Sequence, residues 1–313
     1  MMKEISLALL SFFIFPGFLF TAVVGLLAGW VDRKLTARIQ WRVGPPWYQN
    51  FIDFLKLMSK ETILPTGAHR LTFLMAPIIG LVGITLVSLI LWQMNLHPTR
   101  SFLGDLIVVL CLSILPSLAI IIGGSTSANP LASLGTSREM RLLLAYKLPL
   151  IIAIFTPVVV IKDIRIGSII TYQMENGMMF THHLSSLIAL IVAFVCMQAE
   201  LGFTPFDIPD AEQEIMAGPL IEYSGPPLAL FKLTKAMMLF ALPVFLITVF
   251  AGGMRFDGFQ VILSIVKYLV VLILIVLVKN TNPRLRIDQA LKFFWLWMFP
   301  LAIVGFILAL VGI

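Results

Sequence analysis

The sequence predicts an all-α, polytopic membrane protein with about eight transmembrane helices, a cytoplasmic amphipathic helix and an acidic cytoplasmic loop. Of its 313 residues, 59% are hydrophobic and only 12% are charged, whereas soluble domains carry about 25% charged residues. The mean hydropathy is +1.01. So little charge could not keep a surface solvated, which excludes water-soluble enzymes, nucleic-acid-binding proteins and disordered regulators. We expect residues 1–313 to form a single transmembrane domain.

The transmembrane helices are predicted from apolar runs, because a spanning helix needs about 20 mostly apolar residues. Runs of that length, bounded by charge, Gly or Pro, lie at about residues 5–30, 71–94, 102–122, 142–161, 184–201, 228–250, 261–278 and 291–313. The first run is longer than the core of a signal peptide and is followed by basic residues, so we expect it to be retained.

Basic residues predict the orientation, since Lys and Arg are retained in cytoplasmic loops. Most of them fall in alternate loops, among them Arg33, Lys34, Arg38 and Arg42 after the first run and Arg284 and Arg286 after the seventh. We therefore expect both termini to lie outside a plasma membrane. The formal net charge of +6 then needs no nucleic-acid partner.

Residues 47–60 predict the amphipathic helix. Apolar and polar side chains alternate there at close to helical spacing, and Gly44, Pro45 and Pro46 precede them. Such a helix lies along the cytoplasmic interface, in contact with lipid, or against a partner protein, and the sequence leaves both open.

The acidic loop, residues 202–227, departs from the charge rule. It contains no Lys or Arg, and its acids are Asp207, Asp210, Glu212, Glu214 and Glu222. Its Pro and Gly residues prevent a long helix, and apolar residues interleave with the acids. A solvated loop would not need those apolar residues, so we interpret the segment as folding back into a cavity where desolvation raises carboxyl pKa values. Glu200, directly before the loop, is the best single candidate for a buried proton carrier.

Three lysines lie within predicted helices, near their cytoplasmic ends: Lys147, Lys232 and Lys235. Ionisable residues inside a membrane are functional by default. Long basic side chains near helix ends also extend to the interface without any such role. Both interpretations stay open for each lysine.

The chain is predicted to hold no catalytic centre, cofactor or metal of its own. Its two cysteines, Cys111 and Cys196, sit in separate apolar runs, and its four histidines lie at or beyond run ends. Iron–sulfur clusters need about four thiolates, and transmembrane haems need axial ligands. Any electron carrier must therefore belong to another chain.

Four strings, in order, resemble one family. They are 32–45 (DRKLTARIQWRVGP), 53–61 (DFLKLMSKE), 199–225 (beginning AE, with PFDIPDAE inside and ending EYSG) and 283–289 (PRLRIDQ). Together they are similar to the H subunit of bacterial respiratory complex I and to its relatives in membrane-bound nickel–iron hydrogenases and sulfur-reducing complexes.

The resemblance implies a subunit that joins a cytoplasmic electron-transfer arm to ion-pumping, antiporter-like membrane subunits. Iron–sulfur clusters, and in the hydrogenases nickel–iron, would be held by partner subunits. It implies ion or proton relay by the acids of 200–222 and the three lysines, and arm docking by Arg33, Lys34, Arg38, Arg42, Arg284 and Arg286.

Two departures bear on the branch of the family. After Ala199-Glu200 the quinone enzymes usually carry Asn-Arg, whereas this chain has Leu201-Gly202, and lysines at 147 and 235 stand where those enzymes commonly carry glutamates. We therefore favour the hydrogenase-like or sulfur-reducing branch over a quinone-binding subunit. The electron acceptor, whether protons, a sulfur compound or quinone, and the translocated ion stay open.

Two other classes compete with this assignment. A stand-alone secondary transporter also uses buried charge near the midplane, but such transporters usually show internal repeats, and none is convincing here. A passive anchor for a soluble arm would not need the buried acids of the segment that starts at Glu200.

Overall fold

The computed structural model describes residues 9–210, 214, 216, 218–256 and 258–312, and the regular elements in those ranges are all helical. The helices are α1 Phe18–Ile39, α2 Gln49–Met58, α3 Arg70–Leu96, α4 Asp105–Leu112, α5 Leu115–Ser125, α6 Pro130–Ile161, α7 Ile166–Asn176, α8 Met179–His182, α9 Leu184–Glu200, α10 Gly225–Phe250, α11 Gln260–Thr281, α12 Ile287–Phe293 and α13 Phe299–Val311. A π-helical turn, Phe294–Met298, joins α12 to α13.

The all-α membrane fold is confirmed. Seven stretches of the described residues are long and apolar enough to span a bilayer: Leu9–Ile39, Arg70–Leu96, Asp105–Ser125, Pro130–Ile161, Gly225–Phe250, Gln260–Thr281 and Ile287–Val311. The eighth predicted span is the apolar but shorter helix α9, of 17 residues.

Helix α10 forms the centre of the bundle. In its most apolar stretch 89% of the residues are buried, against 22% to 56% in the other six spans. It packs against α1 and α3, while α9 packs against α6 and α13. The spans that contain α1, α11 and α13 are the least buried, so their apolar outer faces are left for lipid or neighbouring subunits.

The start of α6 differs from the prediction. The apolar run predicted a helix from Leu142, but α6 begins at Pro130. Asn129 caps it by accepting a hydrogen bond from the Leu131 N–H at 2.9 Å, and Pro at the first helical position costs no hydrogen bond. The charged residues Arg138, Glu139 and Arg141, which precede the apolar run, therefore lie inside the helix.

The amphipathic helix is confirmed as α2. It rests partly on this chain's own helices, since Asn50 Nδ2 donates to the Leu26 carbonyl at 2.8 Å. Its remaining face exposes Ile52, Leu55 and Met58, by 46%, 64% and 43%. An apolar face of that kind suits the membrane interface or a partner.

The close approach of α1 and α10 depends on Gly25. A Cβ at this position would stand 2.6 Å from the Ala236 carbonyl oxygen, which is main chain and cannot rotate away. We expect Gly25→Ala to destabilise the bundle by about 1–3 kcal/mol, the usual cost of overpacking. The measurement is the thermal unfolding temperature in detergent, followed by tryptophan fluorescence.

Gly29→Ala, on the same helix, is the matched control. Its new Cβ would meet only a side-chain atom, Asn50 Nδ2 at 3.0 Å, which needs to give by a few tenths of an ångström, and alanine favours a helix over glycine by about 1 kcal/mol. Equal unfolding temperatures for the two variants would contradict the proposed contact.

Candidate functional site

A buried ion pair lies where α6, α9 and the α4–α5 region meet. The Lys147 Nζ donates to Glu200 Oε1 at 2.6 Å and to Ser113 Oγ at 3.0 Å. The two charged side chains are only 7% and 2% exposed. Lys147 therefore does not extend to the interface, because its ammonium group is bound inside the bundle.

Lys147 lies well inside α6 and not near its end. Lys147 lies 17 residues beyond Pro130, which is about 25 Å along the axis at a rise of 1.5 Å per residue. We predicted that Lys147 lies near the cytoplasmic end of a shorter helix, and this prediction is wrong. Glu200 is the last residue of α9, so the pair joins the inside of one helix to the end of another.

A cavity of about 70 Å³ separates the pair from the acidic loop. Its lining includes the charged residues Glu139, Glu200, Asp207, Asp210, Lys232 and Lys235. Glu200 also lines a smaller void, of about 10 Å³, with Ser113 and apolar residues. Glu200 thus lies between two spaces: a charged cavity that is large enough for water, and a void in the apolar interior.

On the loop side of the cavity, Lys235 of α10 is paired with Asp210. The Nζ donates to Asp210 Oδ2 at 2.8 Å, and the side chains are 41% and 39% exposed. Lys232 is exposed and lines both this cavity and a larger one described below. The loop acid Asp210 and the helix acid Glu200 therefore face one cavity, each bound to a lysine.

The first part of the acidic loop folds back against the bundle, as the sequence predicts. Phe206 and Ile208 are each 3% exposed within the apolar core. Arg284 binds both oxygens of Asp207, with Nε at 2.8 Å from Oδ1 and Nη2 on Oδ2. The hydrogen bond to Asp207 raises the pKa of Arg284, so this cation stays charged.

Lys279, at the end of α11, holds the loop by a second route. Its carbonyl accepts a hydrogen bond from Thr204 Oγ1 at 2.6 Å, and its Nζ donates to Asp32 of α1 at 2.8 and 3.1 Å. The ammonium also lies 4.4 Å from the centre of the Phe203 ring, a cation–π contact. One residue thus connects α1, α11 and the loop.

The later acids of the loop lie outside the cavity. Glu222 Oε1 accepts a hydrogen bond from Asn129 Nδ2 at 2.5 Å, at the start of α6. Glu214 is exposed and pairs with Arg138 at 2.7 Å. We expected a raised pKa for the carboxyl of Glu214. This prediction is wrong, because the hydrogen bond from Arg138 lowers that pKa. Glu212 lies outside the described residues.

The basic residues predicted to dock a partner are not equally available. Arg33 Nη1 donates to Asp53 Oδ2 at 2.9 Å and thereby lowers the pKa of Asp53. Lys34 Nζ donates to the Gly44 carbonyl at 3.4 Å, and Arg284 is bound to Asp207. The exposed basic residues of the predicted docking set are Arg33, Arg38, Arg42, Arg284 and Arg286.

Two acids of the site were missed from the sequence. Glu139 falls between two predicted spans, but it lies inside α6 and lines the cavity. Its spacing of eight residues from Lys147 places both on the same side of a helix, a signal that only a longer α6 would have revealed. Asp32 pairs with Lys279 across 247 positions, and nothing in the local sequence indicates that contact.

A larger cavity, of about 270 Å³, opens between α1, α2 and α10. Apolar Leu26, Phe54 and Leu239 line it together with Asp32 and Lys232. No group of three or more His, Cys, Asp or Glu side chains in the described ranges is placed to hold a metal ion.

The sequence profile of a family described as NADH dehydrogenase matches residues 11–310. The chain belongs to this family. It is 31% identical to the H subunit of NADH-quinone oxidoreductase from Geobacillus kaustophilus, over 92% of this chain and 88% of the relative. It is 30% identical to NADH-quinone oxidoreductase subunit 8 of Thermus thermophilus, over 91% of this chain and 83% of that relative.

Among solved structures, the fold of this family member matches a chain of the membrane-bound sulfane sulfur reductase, an archaeal respiratory membrane complex. The TM-score is 0.84 at 33% identity, over 93% of this chain and 96% of that chain. The resemblance to the family of complex I H subunits is confirmed, and the chain is a complex I-like membrane subunit.

The Lys147–Glu200 pair makes a testable contribution to stability. We expect Lys147→Met to lower the free energy of unfolding by about 3–5 kcal/mol, because Glu200 keeps a buried charge without its cation. The double variant Lys147→Met/Glu200→Leu should recover most of that loss, since it removes both charges. Denaturant unfolding of the detergent-solubilised chain measures both.

Lys162→Met is the control, since Lys162 is exposed and such changes usually stay within about 0.5 kcal/mol. A Lys147→Met variant as stable as the wild type would show that the pair does not hold these helices together.

Proposed function

We propose that this subunit docks a cytoplasmic electron-transfer arm and couples redox change in that arm to movement of protons or sodium ions across the plasma membrane. The observation that carries the proposal is the buried Lys147–Glu200 pair, because its Glu200 carboxylate lines a cavity that is also lined by Asp207 and Asp210 of the acidic loop. Charges this deep are expensive, and their usual use in membranes is to move ions.

Docking would use the side of the bundle that carries the loop and the basic residues. Arg38, Arg42 and Arg286 are exposed there, and Arg286 lines a surface cavity together with the ion pair of half-buried Arg138 and exposed Glu214. Surface charges of both signs suit a polar protein partner. The partners we propose on this side are iron–sulfur and hydrogenase-like subunits, which would hold the cofactors. By the basic-residue rule this side is cytoplasmic and both termini lie outside.

Coupling would begin at Asp207 and Asp210. A change of charge in the docked arm alters the protonation of these carboxylates, and a protonated Asp210 no longer holds the Lys235 ammonium. The freed ammonium faces Glu139 and Glu200 across the cavity and competes with Lys147 for the Glu200 carboxylate. Loosening the Lys147–Glu200 pair then changes the charge presented to the membrane interior. The pumping itself would occur in antiporter-like membrane subunits.

Residue 202 favours the hydrogenase-like or sulfur-reducing branch. Where the quinone enzymes usually carry Asn-Arg, Leu201 is buried and Gly202 has a left-handed backbone with a φ of 61°. The position of a Cβ on Gly202 is 3.6 Å from Lys235 Nζ. An arginine at position 202 would have a strained backbone, and its side chain would begin beside the like charge of Lys235. The Asn-Arg pair of the quinone enzymes therefore does not suit this site.

A quinone-binding subunit is the second candidate, and the cavity between α1, α2 and α10 favours it. Its volume of about 270 Å³ approaches the 300–1,000 Å³ typical of small-molecule sites. Its apolar side chains suit a lipid-soluble ring, and the charged and polar side chains that also line it would supply hydrogen bonds to the ring oxygens.

Purification through a tag on this chain, in a mild detergent, distinguishes the candidates. Mass spectrometry, metal analysis and quinone extraction of the intact complex are the measurements. Co-purified iron–sulfur subunits without quinone reduction support the favoured branch, and nickel content then separates a hydrogenase from a sulfur reductase. Quinone reduction by the complex would establish the second candidate, and a metal-free single chain would contradict both in favour of a transporter.

The coupling role predicts the behaviour of Glu200→Gln. This change keeps the shape of the side chain and one acceptor oxygen for Lys147 but removes the charge and the ionisable group. We expect the assembled complex to transfer electrons while ion uptake into proteoliposomes falls at least tenfold, measured with proton- and sodium-sensitive dyes.

Glu175→Gln, at an exposed position of α7 away from the cavity, should pump like the wild type. Full pumping by an assembled Glu200→Gln complex would rule out the relay. Loss of both electron transfer and assembly would instead indicate a purely structural pair.

A further inference from the structure

A second polar cavity, of about 180 Å³, lies at the end of the bundle opposite the acidic loop. It is bounded by α7, by the segment that follows α10 and by the first turns of α11. None of the residues proposed for coupling lines it. Its volume is sufficient for a small anion with water.

Two cationic side chains converge in this cavity. The position that a Cβ on Gly252 would occupy is 3.6 Å from Lys267 Nζ and 3.9 Å from Arg255 Nη2. The main chain of Arg255 is fixed on both sides by Ser264, whose Oγ accepts from the Arg255 N–H at 2.8 Å and donates to its carbonyl at 3.1 Å. Helix α11 thus fixes the main chain at Arg255, and the guanidinium reaches α7, where Nη2 donates to the Gln173 carbonyl.

Neither cation has its hydrogen-bonding capacity filled. Lys267 Nζ donates to the Ala251 carbonyl at 2.6 Å, and Arg255 Nη2 donates to the Gln173 carbonyl at 3.3 Å. Arg255 Nε is buried with no partner among the described residues. An ammonium has three donors and a guanidinium five, so most of their N–H groups remain for a ligand.

The described lining of the cavity contains no carboxylate to balance these charges. The described acids on neighbouring elements of this end do not line the cavity: Asp105 accepts from two main-chain N–H groups through Oδ1 and has Oδ2 buried, Asp163 accepts from Ser168, and Glu175 is exposed. Asp257 lies outside the described residues. Two partly buried positive charges side by side are costly unless an anion joins them.

We infer that Arg255 and Lys267 hold a phosphate anion, for which the headgroup of a membrane phospholipid is the favoured source. Arginine binds two phosphate oxygens at once, and lysine adds a point charge. The surface beside the cavity exposes Phe259, Ile262 and Val266 by 78%, 56% and 47%. These apolar side chains continue along α11 toward the membrane interior, where the acyl chains of a bound lipid would lie.

The test is binding of short-chain lipids to the full chain in detergent, followed by native mass spectrometry. The probes are dioctanoyl phosphatidylglycerol, dioctanoylglycerol, which lacks the phosphate, and inorganic phosphate. We expect the wild type to retain the phospholipid and not the diacylglycerol. Lys267→Met and Arg255→Gln should each weaken phospholipid binding about tenfold or more, because each removes one of two charge-assisted contacts.

Two further variants separate binding from folding. Lys267→Arg keeps the charge and should restore most of the affinity. Arg100→Met removes an exposed basic residue at the same end of the bundle and should bind the lipid like the wild type. Unfolding temperatures recorded without lipid show whether each variant is folded.

The outcomes separate the sources of the anion. Inorganic phosphate that binds as tightly as the phospholipid, with the same loss in Lys267→Met, supports the phosphate site with a soluble source. Phospholipid binding that phosphate does not displace supports the headgroup. Equal lipid binding by wild type and the Lys267→Met/Arg255→Gln double variant would overturn the inference. Failure of the wild type to bind either the phospholipid or inorganic phosphate would also overturn it. If Lys267→Met then also loses complex assembly, the cavity receives a carboxylate of a neighbouring subunit.

Discussion

A charge inside a lipid-embedded bundle must find an opposite charge, and the pair of Lys147 and Glu200 satisfies that constraint. The arrangement of the surrounding helices follows from it. Helix α6 has to be long enough to bring Lys147 deep into the bundle, and α9 has to end at Glu200 for the carboxyl to meet it. Ser113, from the break between α4 and α5, then supplies the remaining acceptor.

The charges of the acidic loop are also paired with opposite charges, in less buried contacts. Asp207 and Asp210 are each bound to a cation that lies far away in the sequence, Arg284 and Lys235. These two contacts hold a Pro-rich, non-helical segment against the bundle, where its apolar residues are buried. Irregular backbone at this depth is tolerated only where it is packed in protein or lines a cavity, and here it does both.

Much of this architecture can be predicted from the sequence, because its strongest signals are local. Apolar runs give the spans, and the helical pattern of 47–60 gives α2. The role of Glu200 as a buried acid follows from its position between an apolar run and the acidic loop. In each case the information lies within about one helix length.

The remainder could not be predicted because it depends on contacts between distant residues. The charges at 138, 139 and 141 predict a loop before the apolar run. This segment is helical because α6 packs there against α5 and the loop. The same error hid Glu139 and misplaced Lys147. Asp32 and Lys279 lie at opposite ends of the chain, so their pairing appears only when α1 and α11 are adjacent.

Lys279 connects the acidic loop to the end of helix α11. Its carbonyl is bonded to the loop through Thr204, so a shift of the loop pulls directly on the end of a helix. Helix α11 has 22 residues, and at 1.5 Å per residue it is a rod about 33 Å long. In the coupling proposed above, a displacement at Lys279 would therefore be carried along this rod to its other end, where Arg255 and Lys267 lie.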